Sequence, residues 1–263
     1  MDLGTILSAE PGPDITGGTA AGHRWLSVDV KVEIWSDVVC PWCAIGKRRF
    51  EKALAGFAHR DEVEVSFHSF ELDPSAPRER EGDLAEHLAG KYGISREEAA
   101  GKHRQMTETA AVDGWDFRFE RARGGNTFDA HRLLHLAADR GVQDAVKERF
   151  FRGYLEDGAP IGDPDTLVRL AAEAGLDAEE ARAVLATDRY ADAVRADQRQ
   201  AQAYGISAVP FFVVDRKYGV AGAQPPEALR EVLETAWTEA HPLQVLTPAG
   251  GDTDACADGS CSV

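Results

Sequence analysis

The chain has 263 residues, 43% of them hydrophobic, enough for a sizeable core in one or two domains. Its 29 basic residues stand against 45 acidic ones, a net charge of −16. That balance argues against a nucleic-acid partner, which needs a basic surface, and no apolar run approaches the roughly 20 residues of a membrane helix.

Residues 1–22 contain no Lys or Arg and mix Asp2, Glu10 and Asp14 with Pro and Gly. A secretory signal needs a basic start followed by an apolar stretch, so residues 1–29 are expected to form a disordered extension on a cytoplasmic protein. Val30 to Trp35 then alternates as a short buried strand, and 44–60 (AIGKRRFEKALAGFAHR) carries a helical stripe at Ile45, Phe50, Leu54 and Phe57. Val63 to Phe70 alternates again, which makes the opening a β-α-β unit with parallel strands. Pro74 and Pro77 interrupt the chain.

The next ~120 residues read as almost entirely helical. Ser95 to Glu98 and Asp177 to Glu180 resemble capping boxes, Asn126 is a candidate N-cap, and Asp163-Pro164 opens a further helix. Trp115 to Phe119 is the one possible extended piece, and the last helix of the block is expected from about Asp188 to Tyr204. Strands return at Phe211 to Val214 and Lys217 to Ala221, followed by a helix over Pro226 to Ala240 and a Pro-, Gly- and Asp-rich tail. One α/β sheet interrupted by a helical insertion accounts for this order. Three separate domains would leave two fragments too small to bury a core.

The four cysteines fall in two pairs, Cys40/Cys43 and Cys256/Cys261. Cys40-Pro41-Trp42-Cys43 sits where a strand hands over to a helix, and unpaired N–H groups at a helix start favour a thiolate. On this reading Cys40 is an exposed nucleophile that titrates below neutrality, and Cys43, one turn on, closes the ring. The competing readings are a zinc site built from both pairs, although a CxxxxC pair in a tail is a poor knuckle, and a pair of inert core cysteines. Glu33, on the strand before the dithiol, is either a buried proton-transfer acid or an ordinary solvated carboxylate. Asp37 either approaches the dithiol or simply shapes the turn. His131 and His135, four apart on one helix, lack an evident third metal ligand and read as packing or surface residues; no metal site is expected.

SDVVCPWCAIGKRRFE at 36–51 resembles the active-site segment of the DsbA-type thioredoxin-fold oxidoreductases, specifically the FrnE-like branch. NTFDAHRLLHLA at 126–137, GISAVPFFVVD at 205–215 and GAQPPE at 222–227 resemble it too, so the likeness runs from about Val30 to Ala240. The same superfamily holds the 2-hydroxychromene-2-carboxylate isomerases and kappa-type glutathione transferases, which typically place Ser where this chain has Cys40.

The resemblance implies an α/β, thioredoxin-like fold with a large helical insertion domain. The thioredoxin-like part would be 30–73 with 197–240, the insertion 74–196, and the flexible tail 241–263. It implies thiol–disulfide exchange with protein or peptide thiols and disulfides, glutathione being a further candidate partner, with no cofactor. Cys40, Cys43 and a cis Pro210 would be catalytic, and Trp42 and Val209 would meet substrate. His131 and His135, by their place in NTFDAHRLLH, would border the cleft. A second C-terminal pair, common in the FrnE-like branch, would make Cys256 and Cys261 an accessory redox pair; an idle tail is the alternative. The rival activity is a glutathione-dependent isomerase or transferase.

Overall fold

A computed structural model describes residues 30–243. The expected N-terminal extension over 1–29 and the Cys256/Cys261 pair lie outside the described residues.

Strand β1 (Val30–Ser36) turns Val30, Val32 and Ile34 to one side and Lys31, Glu33 and Trp35 to the other. Strand β2 (Val63–Ser69) pairs parallel to it, with Val32 opposite Val65 and Ile34 opposite Phe67. The link is helix α1 (Pro41–Ala55), the crossover that a parallel pair requires. On the other side of β1 lies β3 (Phe211–Val214), antiparallel, and beside it β4 (Tyr218–Ala221), giving the order β2-β1-β3-β4. The β3–β4 turn needs positive φ at both central residues, and Asp215 and Arg216 supply it. Asp215 is tied down by β1: its carboxylate accepts from the Lys31 N–H at 2.7 Å, and its own N–H donates to the Lys31 carbonyl.

The outer edge at β2 is closed by a side chain. The Gln143 amide accepts from Phe67 N–H and donates to Phe67 C=O, both at 2.9 Å.

Helices α1 and α9 (Pro226–Ala240) cover one face of the sheet. Their core there is apolar: Val30, Val32, Ile34, Phe50, Phe212, Leu229, Leu233 and Ala236. Between β2 and β3 the chain runs through α2 (Leu84–Tyr92), α3 (Arg96–Val112), α4 (Phe128–Asp139), α5 (Gln143–Arg152), α6 (Pro164–Glu173), α7 (Ala178–Leu185) and α8 (Ala191–Ala203). These build a second core with Trp35, Cys43, Leu133, Phe150, Phe151 and Leu167 in it. Helix α5 runs on into a π-helical turn, Gly153–Asp157. No helix among the described residues is long and apolar enough to cross a membrane.

The caps follow the sequence closely. Ser95 and Glu98 form a reciprocal capping box, and Asp163 and Asp177 each accept the N–H three residues on. Three expectations need correction. The N-cap of α4 is Thr127, while Asn126 reaches past it to accept from the Phe128 N–H at 2.9 Å. Helix α8 starts at Ala191, not Asp188. Trp115 to Phe119 is not extended sheet but a loop whose rings are buried. The guanidinium groups of Arg48 and Arg152 each lie 5.0 Å from the Trp115 ring centroid, and the indole donates to the Ala44 carbonyl at 3.2 Å. The backbone finds partners outside the sheet: the Trp115 N–H donates to the Ala110 carbonyl, the Asp116 N–H to the Glu156 carboxylate and the Arg118 N–H to the Leu155 carbonyl.

Candidate active site

The chain leaves β1 at Ser36 and turns once through Asp37-Val38-Val39. The Cys40 N–H donates back to the Asp37 carbonyl, and Cys40 becomes the N-cap of α1, with extended backbone and Pro41 in the first turn. Pro41 loses nothing there because its missing N–H has no intrahelical acceptor. The Cys40 carbonyl accepts from the Cys43 and Ala44 N–H groups, so the two cysteines flank the start of α1, their sulfurs not bonded to each other.

Across from them the Val209–Pro210 loop approaches before β3. The Val209–Pro210 peptide bond is cis, and the Cys40 thiol donates to the Val209 carbonyl at 3.7 Å. Gly46 permits this approach: a β-carbon there would lie 2.8 Å from Pro210 Cγ. The sequence-derived residues Cys40, Cys43, Val209 and Pro210 therefore converge. Trp42 stands beside them with 43% of its surface exposed.

Two expectations about Cys40 are overturned. It is buried, 4% exposed, rather than open to solvent. Its thiol is also pushed well above its ordinary range. The neighbouring Cys43 thiol does most of this, then burial, with the Asp37 carboxylate adding to it; the Cys43 N–H at the helix start acts the other way and is outweighed.

Glu33 does not reach the dithiol. It lies 3.5 Å from His68 and 3.5 Å from Arg216. The buried carboxylate near the cysteines is Asp37, which accepts from the Leu72 N–H at 2.8 Å and lies 3.3 Å from His131 Nε2. Burial would raise its pKa, but the bond and charge of His131, the Leu72 amide and Lys147 together hold it below the usual carboxylate range. The two histidines part company: His131 serves Asp37, whereas His135 lies 3.0 Å from Asp197, which also holds His68 at 2.8 Å.

The site also contains residues that the sequence reading missed. Lys147 of α5 is fully buried, and burial pushes it down to about 8, against the pull of Cys43, Asp37 and Cys40. Tyr154, on the π-helical turn, is raised by burial and by the Asp37 charge. A signal for Lys147 existed: Val146, Phe150 and Phe151 are buried on α5, and Lys147 stands four residues before Phe151 on that stripe. Among the described residues no group of three or more His, Cys, Asp or Glu side chains is placed to hold a metal ion.

A sheet of this order, with two thiols at the first helix start facing a Val-Pro loop, defines the thioredoxin-like class of proteins. The chain belongs to the DSBA-like thioredoxin domain family, whose model matches residues 31–234. It is similar to a probable DsbA oxidoreductase from Streptomyces coelicolor, with 48% identity and a TM-score of 0.77 over 89% of this chain and 99% of that one. It is also 29% identical to the Bacillus subtilis protein YwbO over 70% of this chain and 86% of that protein. The cytosolic disulfide reductase DsbM from Pseudomonas aeruginosa, solved with GSH, shares the fold at 18% identity and a TM-score of 0.52, over 78% of this chain and 98% of that one.

Proposed function

We propose that this protein exchanges disulfides with protein or peptide substrates through Cys40 and Cys43. The observation that carries the reading is the pair of cysteines at the start of α1, with Cys40 Sγ 3.7 Å from the Val209 carbonyl. Cys40 attacks a substrate disulfide and forms a mixed disulfide, releasing one substrate sulfur as thiolate. Cys43 then attacks Cys40 Sγ, releases the second substrate sulfur and closes the Cys40–Cys43 bond. The substrate is reduced by two electrons and the protein oxidised by two; the reverse sequence oxidises a substrate dithiol. The Val209 main chain pairs with an extended substrate segment and the exposed Trp42 indole packs on it.

Cys40 at the attacking position favours redox chemistry over the isomerase or transferase reaction. The domain assignment (30–73 with 197–240, and 74–196 as the insertion), the FrnE-like branch and a cytoplasmic location belong to the same proposal, with glutathione as a candidate redox partner. In an insulin-reduction assay Cys40→Ser should fall to background, and Cys43→Ser should accumulate mixed disulfides. Wild-type turnover by Cys40→Ser would overturn the assignment.

Cys256 and Cys261 are proposed as a second pair that exchanges with Cys40. The 15 residues from His241 to Ala255 are enough chain to reach about 50 Å at full extension. A chain truncated after Ala249 should lose part of its turnover; unchanged turnover and potential would remove the pair from the mechanism.

A further inference from the structure

Strand β2 borders the sheet, with a strand on one side of it only. Successive residues of a strand turn their N–H and C=O groups to opposite edges, so Val63 and Val65 turn theirs to the same open side as Phe67. Gln143 satisfies Phe67, and the Val63 N–H donates to the Arg60 carbonyl in the turn before the strand. The Val63 carbonyl and both groups of Val65 remain, and among the described residues none of the three has a partner.

A cavity of about 500 Å³ lies along this edge, between α1, β2 and the start of α5. Phe50 and Leu54 of α1 line it beside Val65 and Phe67, and Glu51, Glu64 and Asp144 add three carboxylates. The one cation among the lining residues, Lys47, has a side chain 3% exposed and already held by Glu51, Asp144 and Glu148. Glu64 meets Lys31 at 3.3 Å, with both side chains more than half exposed. The groove thus offers main-chain partners, apolar surface and an excess of negative charge. That combination suits a short extended segment bearing a cation and a large apolar side chain.

Two segments of this chain lie outside the described residues. Residues 244–263 contain Asp252, Asp254 and Asp258 and no Lys or Arg. Residues 1–29 enter the sheet at Val30, which is the β1 residue opposite Val63. Their one Lys or Arg is Arg24, within His23-Arg24-Trp25-Leu26. Charge and place both select the N-terminal segment.

We propose that residues 23–25 fill the groove as a short strand antiparallel to β2, with Arg24 across from Glu64 and Trp25 packed against the apolar lining. The direction follows from connectivity: β1 and β2 run parallel, so a chain that passes along β2 and then enters β1 must reverse. In this register His23 exchanges two hydrogen bonds with Val65, and the Trp25 N–H donates to the Val63 carbonyl. Alternation puts His23 and Trp25 on the side of Val65 and Arg24 on the side of Glu64. Residues 26–29 make the return, which covers two strand spacings, about 10 Å, within the roughly 17 Å that five Cα links can reach. Upstream, Ala21 would fall beside Phe67, where Gln143 already holds the edge, so the added strand ends there.

The test is hydrogen exchange of the Val65 amide in the full-length chain. It should exchange about tenfold more slowly than in a chain lacking residues 1–29. Glu64→Arg should remove most of that protection, and adding Arg24→Glu to it should restore it. The proposal is overturned if Val65 exchanges as fast in the full chain as in the shortened one, or if the charge swap restores nothing. It is equally overturned if truncation after Leu243 removes the protection, which would give the groove to the C-terminal tail, or if the protection grows with protein concentration, which would give it to a second copy of the chain. The charge swap decides the matter if the shortened chain does not fold, because Glu64 lies at the surface.

Discussion

The two faces of the central sheet are made of different materials. Under α1 and α9 the buried groups are hydrocarbon, with Ile34, Phe50, Phe212, Leu229 and Leu233 filling the space. On the insertion side, the apolar cluster of Trp35, Leu133 and Phe150 is threaded with buried polar groups: Asp37, His131, Lys147 and Asp197. The first face repays burial at every contact. The second carries groups whose desolvation is only partly offset, and it is the face that holds the dithiol. Stability and reactivity are drawn from opposite sides of one sheet, so truncations on the hydrocarbon side should all destabilise, whereas substitutions of the buried polar groups on the insertion side should differ among themselves in sign.

Leu233→Ala tests the hydrocarbon side. It should cost about 3 kcal/mol through lost burial and a cavity, with disulfide exchange by the folded fraction unchanged. Loss of activity without loss of stability on denaturant titration would break the comparison. On the other side, Asp197→Asn removes a carboxylate shared by His68, His135 and the Ser69 N–H, at about 2 kcal/mol near neutral pH. Burial would raise this carboxyl, but the histidine bonds hold it far below its ordinary value. A depressed carboxylate adds stability that is present above about pH 4 and fades as pH falls through the folded-state value. The acid limb of the wild-type stability curve should therefore be steeper than that of Asp197→Asn, and parallel limbs would contradict the contact.

The smallest effect has the opposite sign. Lys147 falls from 10.5 to about 8. Below about pH 8 the folded protein carries the full penalty, and between about 8 and 10.5 the unfolded chain holds more protons, so wild-type stability rises with pH. Lys147→Met should be more stable than wild type by about 1–2 kcal/mol at pH 7, with the gap closing toward pH 10 on chemical denaturation.

Legibility in the sequence followed the same division. The dithiol and the α9 span were readable because each is a local pattern, four adjacent residues at a strand-to-helix junction and a helix bounded by Pro226, whereas the role of the Val209-Pro210 loop followed only from the likeness of GISAVPFFVVD to the DsbA-type family. Lys147, Asp37 and Asp197 were not read as a buried set. Their partners lie far along the chain: 111 residues separate Lys147 from Ser36, and 94 separate His131 from Asp37. A charged residue on a helix is read by default as solvent-facing, and only the packing of α4, α5 and α8 against β1 and β2 reverses that. The burial of Cys40 was missed for the same reason, since the groups that cover it come from the insertion core and the Val209 loop.

Gln143 carries a consequence of its own. Its side-chain amide presents to Phe67 the donor and acceptor that a fifth strand would present. At that residue the border strand has no spare valence to offer another chain, so one glutamine acts as a stopper against end-on growth of the sheet into a fibre.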